Sequence, residues 1–276
     1  MAKPVLVLDR FALAKDGPLL NLELHQGEIY AVIGPAGGGK SVFLDTLAGD
    51  EVPACGSALL AGSLLAAEYS TGKGRQTPFG AAKAAARDVP RERISFALSA
   101  LGLWDVRNES MSKMPRSMLA ACDLLPCLVC DDDIILIDGH LDLLDPWQLE
   151  STLEAMFQLA DEGSAFMVAT NRPDLAERFG KLIVFREGEP IYAGSVQDLI
   201  DSQEPTEITI ETDDLSTVRS MVEPFALGVR ASGNKLIVTA EKGQELAARL
   251  ITQGYGTVET VVVKTPSLED ALLRLF

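Results

Sequence analysis

The sequence predicts an α/β domain followed by a small α+β domain, and three observations carry that prediction. Short apolar runs alternate with helical patterns over residues 1 to 203, the order that a largely parallel sheet produces. A glycine-rich loop stands between a buried strand and a helix. The composition then shifts at Asp201-Ser202-Gln203-Glu204-Pro205, and a second, shorter series of strands and helices fills residues 204 to 276.

Along the chain, Leu20-Asn21-Leu22-Glu23-Leu24 alternates apolar and polar, as a half-exposed strand does. Gly27-Glu28 turns the chain into Ile29-Tyr30-Ala31-Val32-Ile33, a buried strand. Ser41 to Ala48 reads as a helix whose apolar positions are Val42, Phe43, Leu44 and Leu47. Tyr69 to Gly80, with its Gly, Ser and Thr, reads as loop, and Ala81 to Leu103 as helix broken near Pro90. Ile134 to Ile137, Phe166 to Thr170 and Leu182 to Phe185 are further short buried strands, with a helix from Pro146 to Glu162 among them. The second series reads as strand (Glu207–Glu211), helix (Leu215–Val222), strands (Ala226–Ala231 and Lys235–Thr239), helix (Glu245–Gln253) and strand (Thr257–Lys264). This βαββαβ order is that of a ferredoxin-like domain. A last helix, Ser267 to Phe276, starts at a serine cap, with Glu269 and Asp270 in its first turn.

Bulk composition bounds the function classes. The 276 residues are 47% hydrophobic and 23% charged, enough for a sizeable core. The net charge of -16, with no local basic patch against it, argues against a nucleic-acid partner. The apolar run Val5 to Leu8 is cut off by Asp9 and Arg10 and is too short for a signal-peptide core. No window approaches the ~18–20 apolar residues of a membrane span. A cytoplasmic chain that meets a membrane only through a partner is therefore expected. Of the four cysteines, Cys122, Cys127 and Cys130 fall at C-x4-C-x2-C and Cys55 lies far away. That spacing also occurs in plant-type iron–sulfur proteins, which need four ligands. Their apolar neighbours Leu124, Leu125, Leu128 and Val129 read instead as a buried segment with reduced thiols.

The strongest chemical signal is Gly34-Pro35-Ala36-Gly37-Gly38-Gly39-Lys40-Ser41, which matches G-x-x-x-x-G-K-[ST] at every fixed position. Its strand-to-helix context is also the required one. Glycines let backbone N–H groups converge on phosphate oxygens where side chains would block approach. A helix N-terminus adds partial positive charge. Lys40 reaches the β- and γ-phosphates and the Ser41 hydroxyl binds Mg²⁺.

With that loop on the page, the segment "GEIYAVIGPAGGGKSVFLDTLAG" resembles the Walker A region of ABC-transporter ATPases. The block "DDDIILIDGHLDLLDP" resembles the family's Walker B and D-loop, with Asp145 at the D-loop aspartate. "FMVATNRPDLAERFGKLIVFREGEPIYAGS" resembles the H-loop and the strands after it, and "TPSLEDALLRLF" the tail of ATPases that serve exporters. The resemblance covers most of residues 1 to 200 in order. It implies a P-loop NTPase fold of the ABC ATPase type, ATP and Mg²⁺ as cofactors, and Ser41 and Asp138 as metal ligands. It also implies a membrane subunit and a second ATP-binding subunit as partners, at the inner face of the membrane.

Several of the family's hydrolytic groups do not carry over. The glutamate after Asp138 is Gly139, and the H-loop histidine falls on Asn171, which carries no proton near neutral pH. Asp133 and His140 are the nearby substitutes for a base, provided that one reaches the attacking water. The LSGGQ signature aligns best with Met111-Ser112-Lys113-Met114-Pro115, which keeps only the serine. Gln76 is the local candidate for the Q-loop glutamine, and Phe11 is nearest to the adenine-stacking position, although it also reads as core. These departures imply an ATP-binding subunit with impaired hydrolysis. The alternative is a soluble ATP-binding regulator or scaffold of the same fold.

Overall fold

The strand that leads into the glycine-rich loop is buried along its whole length, and the main sheet is laid out on either side of it. The computed structural model describes residues 4–69, 76–85, 89–202, 206–241, 243–253, 258–264 and 266–276. The chain divides into two compact units, Met1–Ser195 and Val196–Phe276.

In the first unit, β1 (Pro4–Ala12), β2 (Leu20–His25) and β3 (Ile29–Ile33) precede α1 (Lys40–Ala48), and β4 (Cys55–Leu60) and β5 (Leu64–Ala66) follow it. The helices α2 (Pro78–Ala85), α3 (Arg91–Ala100), α4 (Arg116–Asp123) and α5 (Leu125–Val129) come next. Then β6 (Ile134–Asp138), α6 (Pro146–Asp161), β7 (Ala165–Thr170), α7 (Pro173–Glu177), β8 (Lys181–Arg186) and β9 (Glu189–Ser195) complete the unit. The six-stranded sheet runs β5-β6-β7-β3-β8-β9. Its strands are parallel except β9, which returns antiparallel beside β8. Every residue of β3 and β7 is buried, which is why both read as unbroken apolar runs rather than as alternation. A second, antiparallel sheet runs β2-β1-β4. Leu20, Leu22 and Leu24 alternate inward from β2 and join Phe11, Val32, Phe43 and Phe185 in one core.

Strand register fixes where the site lies. Ile33 at the end of β3 pairs with Thr170 at the end of β7, and Asp138 at the end of β6 pairs with Ala169. The loops after β3, β6 and β7 therefore leave side by side at the carboxyl edge, where open α/β sheets bind their ligands.

The helical stretch of 81–103 is broken near Pro90 as expected, with Pro90 capping α3, and one helix expectation shifts. Helix α2 begins at Pro78, inside the stretch read as loop. Thr77 caps it by accepting the Gly80 N–H at 3.1 Å, with proline at the first helical position.

The second unit holds α8 (Val196–Ser202), β10 (Thr206–Glu211), α9 (Leu215–Val222), β11 (Gly228–Ser232), β12 (Lys235–Ala240), α10 (Gly243–Gln253), β13 (Thr260–Lys264) and α11 (Leu268–Leu275). Its antiparallel sheet runs β11-β12-β10-β13. Ile208, Ile210, Leu236 and Val238 from the sheet meet Val218, Val222, Leu246 and Leu250 from α9 and α10. Helix α8 packs on α11. Ser267 and Asp270 form a reciprocal capping box at the start of α11, at 3.1 Å in each direction.

Candidate functional site

The loop from Gly34 to Ser41 is shaped by positions that admit no side chain. A Cβ on Gly34 would lie 2.2 Å from the Phe185 carbonyl oxygen, and one on Gly39 2.7 Å from the Gly188 Cα. Gly39 has φ +100 and caps α1 without a side-chain bond, and no acidic residue occupies the first turn of α1. The N–H groups of that turn and the positive end of the helix thus face the loop without a competing carboxylate. Pro35, Ala36 and Gly37 are exposed at its crest, and the Gly38 N–H turns back to the Pro35 carbonyl at 3.0 Å. Lys40 is 8% exposed, and its ammonium donates to the Gly34 and Pro35 carbonyls at 2.7 and 2.9 Å. Burial pushes its pKa down, while the Asp138 and Asp142 carboxylates pull it back up. Ser41 is exposed in the first turn of α1.

Asp138 is half-buried at the end of β6. Gly139 follows with φ +68, a left-handed conformation that side chains rarely adopt. His140 is fully buried, and neither ring nitrogen has a hydrogen-bond partner among the described residues. The ring of Tyr69 covers it, stacked at 3.9 Å and 13°. Burial pushes the His140 pKa down, although Asp123, Asp138 and the nearby Asp138 and Glu68 backbone favour its charged form. Asp142 follows on a short 3₁₀ turn, Leu141–Leu143. Its carboxylate accepts from the Thr170 hydroxyl at 2.5 Å and from the Asn171 N–H at 2.9 Å, tying the end of β7 to the turn after β6. Sequence reasoning missed both Tyr69 and Asp142.

Other sequence candidates sit elsewhere. Asp133 stands at the opposite end of β6 from Asp138, about 16 Å away at ~3.3 Å per residue, and accepts from the Ser63 N–H. Neither it nor the sealed His140 is placed to take a proton from water at the end of β6. Phe11 lies in the core, edge-on to Phe43 at 5.7 Å, so its ring has no free face for a base. Gln76 is exposed, and its carbonyl accepts the Met111 N–H at 2.9 Å. Met111–Lys113 forms a 3₁₀ turn with Met111 buried and Ser112 exposed, and Pro115 precedes α4. Asn171 is exposed beside the Asp142 clamp. Asp145 caps α6 by accepting the Trp147 and Gln148 N–H groups at 3.0 and 2.9 Å. Cys122 and Cys127 are free and buried, with thiols pushed up to about 12 by burial.

The Asp138 carboxylate lies within electrostatic reach of the Lys40 ammonium, and Ser41, with its hydroxyl, follows Lys40 in the first turn of α1. Hard oxygen donors of this kind suit Mg²⁺, which usually takes one or two protein ligands and fills the rest with phosphate oxygens and water. No group of three or more His, Cys, Asp or Glu able to hold a metal occurs among the described residues. Nor is any described helix long and apolar enough to cross a membrane.

Residues 19–141 match the family described as ABC transporter. The Nod factor export ATP-binding protein I of Cupriavidus pinatubonensis is 26% identical over 277 residues, spanning 93% of this chain and 84% of its own length. The protein of that name from Burkholderia lata is 26% identical over 281 residues, spanning 93% and 90%. A solved ATP-binding subunit of an ABC transporter superposes with a TM-score of 0.61 at 17% identity, over 72% of this chain and 93% of that one.

Proposed function

We propose that this chain, an ATP-binding subunit of the ABC transporter family, holds Mg-ATP in the loop 34–41 and hydrolyses it slowly. The observation that carries this reading is Lys40. Its buried ammonium is held by the Gly34 and Pro35 carbonyls, within the field of Asp138 and Asp142, poised to exchange those carbonyls for phosphate oxygens.

Each residue has a task in this reading. The N–H groups of Gly37 and Gly39 and the first turn of α1 bind phosphate oxygens. Lys40 neutralises the β- and γ-phosphates, and Ser41 and Asp138 hold the Mg²⁺. A positioned base contributes ~10²–10⁴-fold to such a reaction. Gly139 has no side chain, and His140 is sealed under Tyr69, so turnover is slow. Subunits of this family work with membrane subunits, and we assign this chain such a partner at the inner face of the membrane. A second ATP-binding subunit would bring its signature segment over Lys40. The export named for the relatives is the direction proposed here. Residues 1 to 203 carry the nucleotide, and residues 204 to 276 support the dimer or regulate it.

Calorimetric titration with Mg-ATP tests the reading. The unsubstituted chain should bind, and Lys40→Ala should lose most of the affinity. Equal affinity in both proteins would remove the loop from the site.

A further inference from the structure

Tyr69 leaves β5 beside the carboxyl end of β6 and closes over residues 138 to 140. Ala66 pairs with Leu136, and the Ala67 N–H donates to the Leu136 carbonyl at 2.8 Å. The chain thereby follows β6 to its end, and the Tyr69 hydroxyl donates to the Asp138 carbonyl at 2.6 Å. The same hydroxyl lies 3.1 Å from where a Cβ on residue 139 would stand. Most Cβ atoms are not approached that closely, and the tether to Asp138 leaves the hydroxyl little freedom to withdraw. The ring lies flat on His140, which seals that imidazole and fixes the phenol from the other side. Residue 139, at φ +68, is held in a backbone conformation suited to glycine.

We infer that Tyr69 and Gly139 form one interlocked unit, in which the tethered phenol takes the volume that a side chain at 139 needs and so keeps a general base out of the site. Tyr69 is a positioning residue: it sets which side chains residue 139 accepts. Loss of the base and gain of the phenol are then a single coupled change, and restoring a glutamate alone does not rebuild the hydrolytic site. Only the catalytic consequence rests on the ATP-binding reading; the interlock is a property of the fold.

The test is a double-variant cycle of Gly139→Glu and Tyr69→Phe, the latter keeping the ring over His140 and removing only the hydroxyl. Gly139→Glu should lower the melting temperature in the native background, and by a smaller interval in the Tyr69→Phe background. Equal drops in the two backgrounds would overturn the interlock. In chains that bind Mg-ATP, phosphate release from the double variant should exceed that of Gly139→Glu, rising toward the ~10²-fold that a positioned base supplies. A double variant no faster than Gly139→Glu would overturn the claim that Tyr69 excludes the base. Calorimetry separates the two readings: a chain that binds no Mg-ATP loses the nucleotide function, and the melting comparison still decides the interlock.

Discussion

The turns after β3 and after β6 both depend on glycine, yet they use it for opposite ends. At Gly34 and Gly39 the missing side chains let backbone approach backbone, with Phe185 and Gly188 packed against positions where a Cβ would clash. The loop so formed exposes Pro35, Ala36 and Gly37 at its crest. At Gly139 the missing side chain makes room for Tyr69, whose hydroxyl closes on the Asp138 carbonyl. The buried polar groups differ in the same sense. Lys40 is satisfied by two carbonyls that it can release, whereas His140 is shut in with neither nitrogen bonded among the described residues. A loop that retains ligand-facing donors is built to bind. A turn that gives its free volume to a tyrosine tethered across it leaves none for a side chain of its own.

The largest effect expected from breaking this contrast is at Gly34. A methyl group there meets the Phe185 oxygen at 2.2 Å, and backbone must move. Gly34→Ala should cost about 3 kcal/mol or more by the logic of an overpacked core, and Mg-ATP binding should fall with it. Gly37→Ala is the control. Nothing lies within 4 Å of its Cβ, so its cost is that of a left-handed φ alone, ~1–2 kcal/mol. Urea denaturation of both variants checks the difference, and equal costs would show that close approach is not what Gly34 supplies.

A smaller effect should follow from cutting the tie between the turn after β6 and the end of β7. Asp142→Ala leaves the Thr170 hydroxyl and the Asn171 N–H without their carboxylate acceptor. The buried Thr170 is 1% exposed, and the loss should be about 1.5–3 kcal/mol. Asp142→Asn keeps one acceptor oxygen and should cost less. Hydrogen exchange at the Asn171 amide gives the local readout: it should quicken in Asp142→Ala while amides within β3 keep their protection. Unchanged exchange at Asn171 would mean that the clamp does not hold the segment.

These two turns were unequally legible in the sequence. Gly34 to Ser41 announces itself because its chemistry is contiguous and its strand and helix are adjacent. The parallel strands β3, β6, β7 and β8 were legible too, since burial leaves unbroken apolar runs. Strand β5, three half-buried residues long, offers no periodicity to read. The lid was invisible for a different reason. Tyr69 and Asp138 are 69 residues apart, and Asp142 and Thr170 are 28 apart. Only strand register brings such pairs together, and register is a property of the whole sheet. Asp145 shows the intermediate case: its family position was readable from the block around it, and its capping of α6 follows from an aspartate placed before Pro146.

The smallest effect is a pH dependence that separates His140 from Lys40. An imidazole whose folded pKa is pushed down stays neutral in the native state, while the unfolded chain takes up a proton below its ordinary value of about 6.5. Below that point the unfolded state binds more protons, so stability falls as pH falls, by at most about 1.4 kcal/mol per pH unit. The loss begins near pH 6.5 and ends at the folded pKa, which burial lowers against the opposing pull of Asp123 and Asp138. Lys40 starts from an ordinary value of about 10.4, and burial pushes it down while Asp138 and Asp142 pull it back up. His140→Phe keeps an aromatic ring beneath Tyr69 and removes both nitrogens that lack partners, so it should be close to neutral at pH 7.5. It should also flatten the decline between pH 6.5 and 5.5, above the range where ordinary carboxylates titrate. Melting temperatures of the two chains at pH 7.5, 6.5 and 5.5 decide the matter. Parallel curves would mean that His140 meets solvent often enough to titrate normally, and the closed turn after β6 would then be open to water after all.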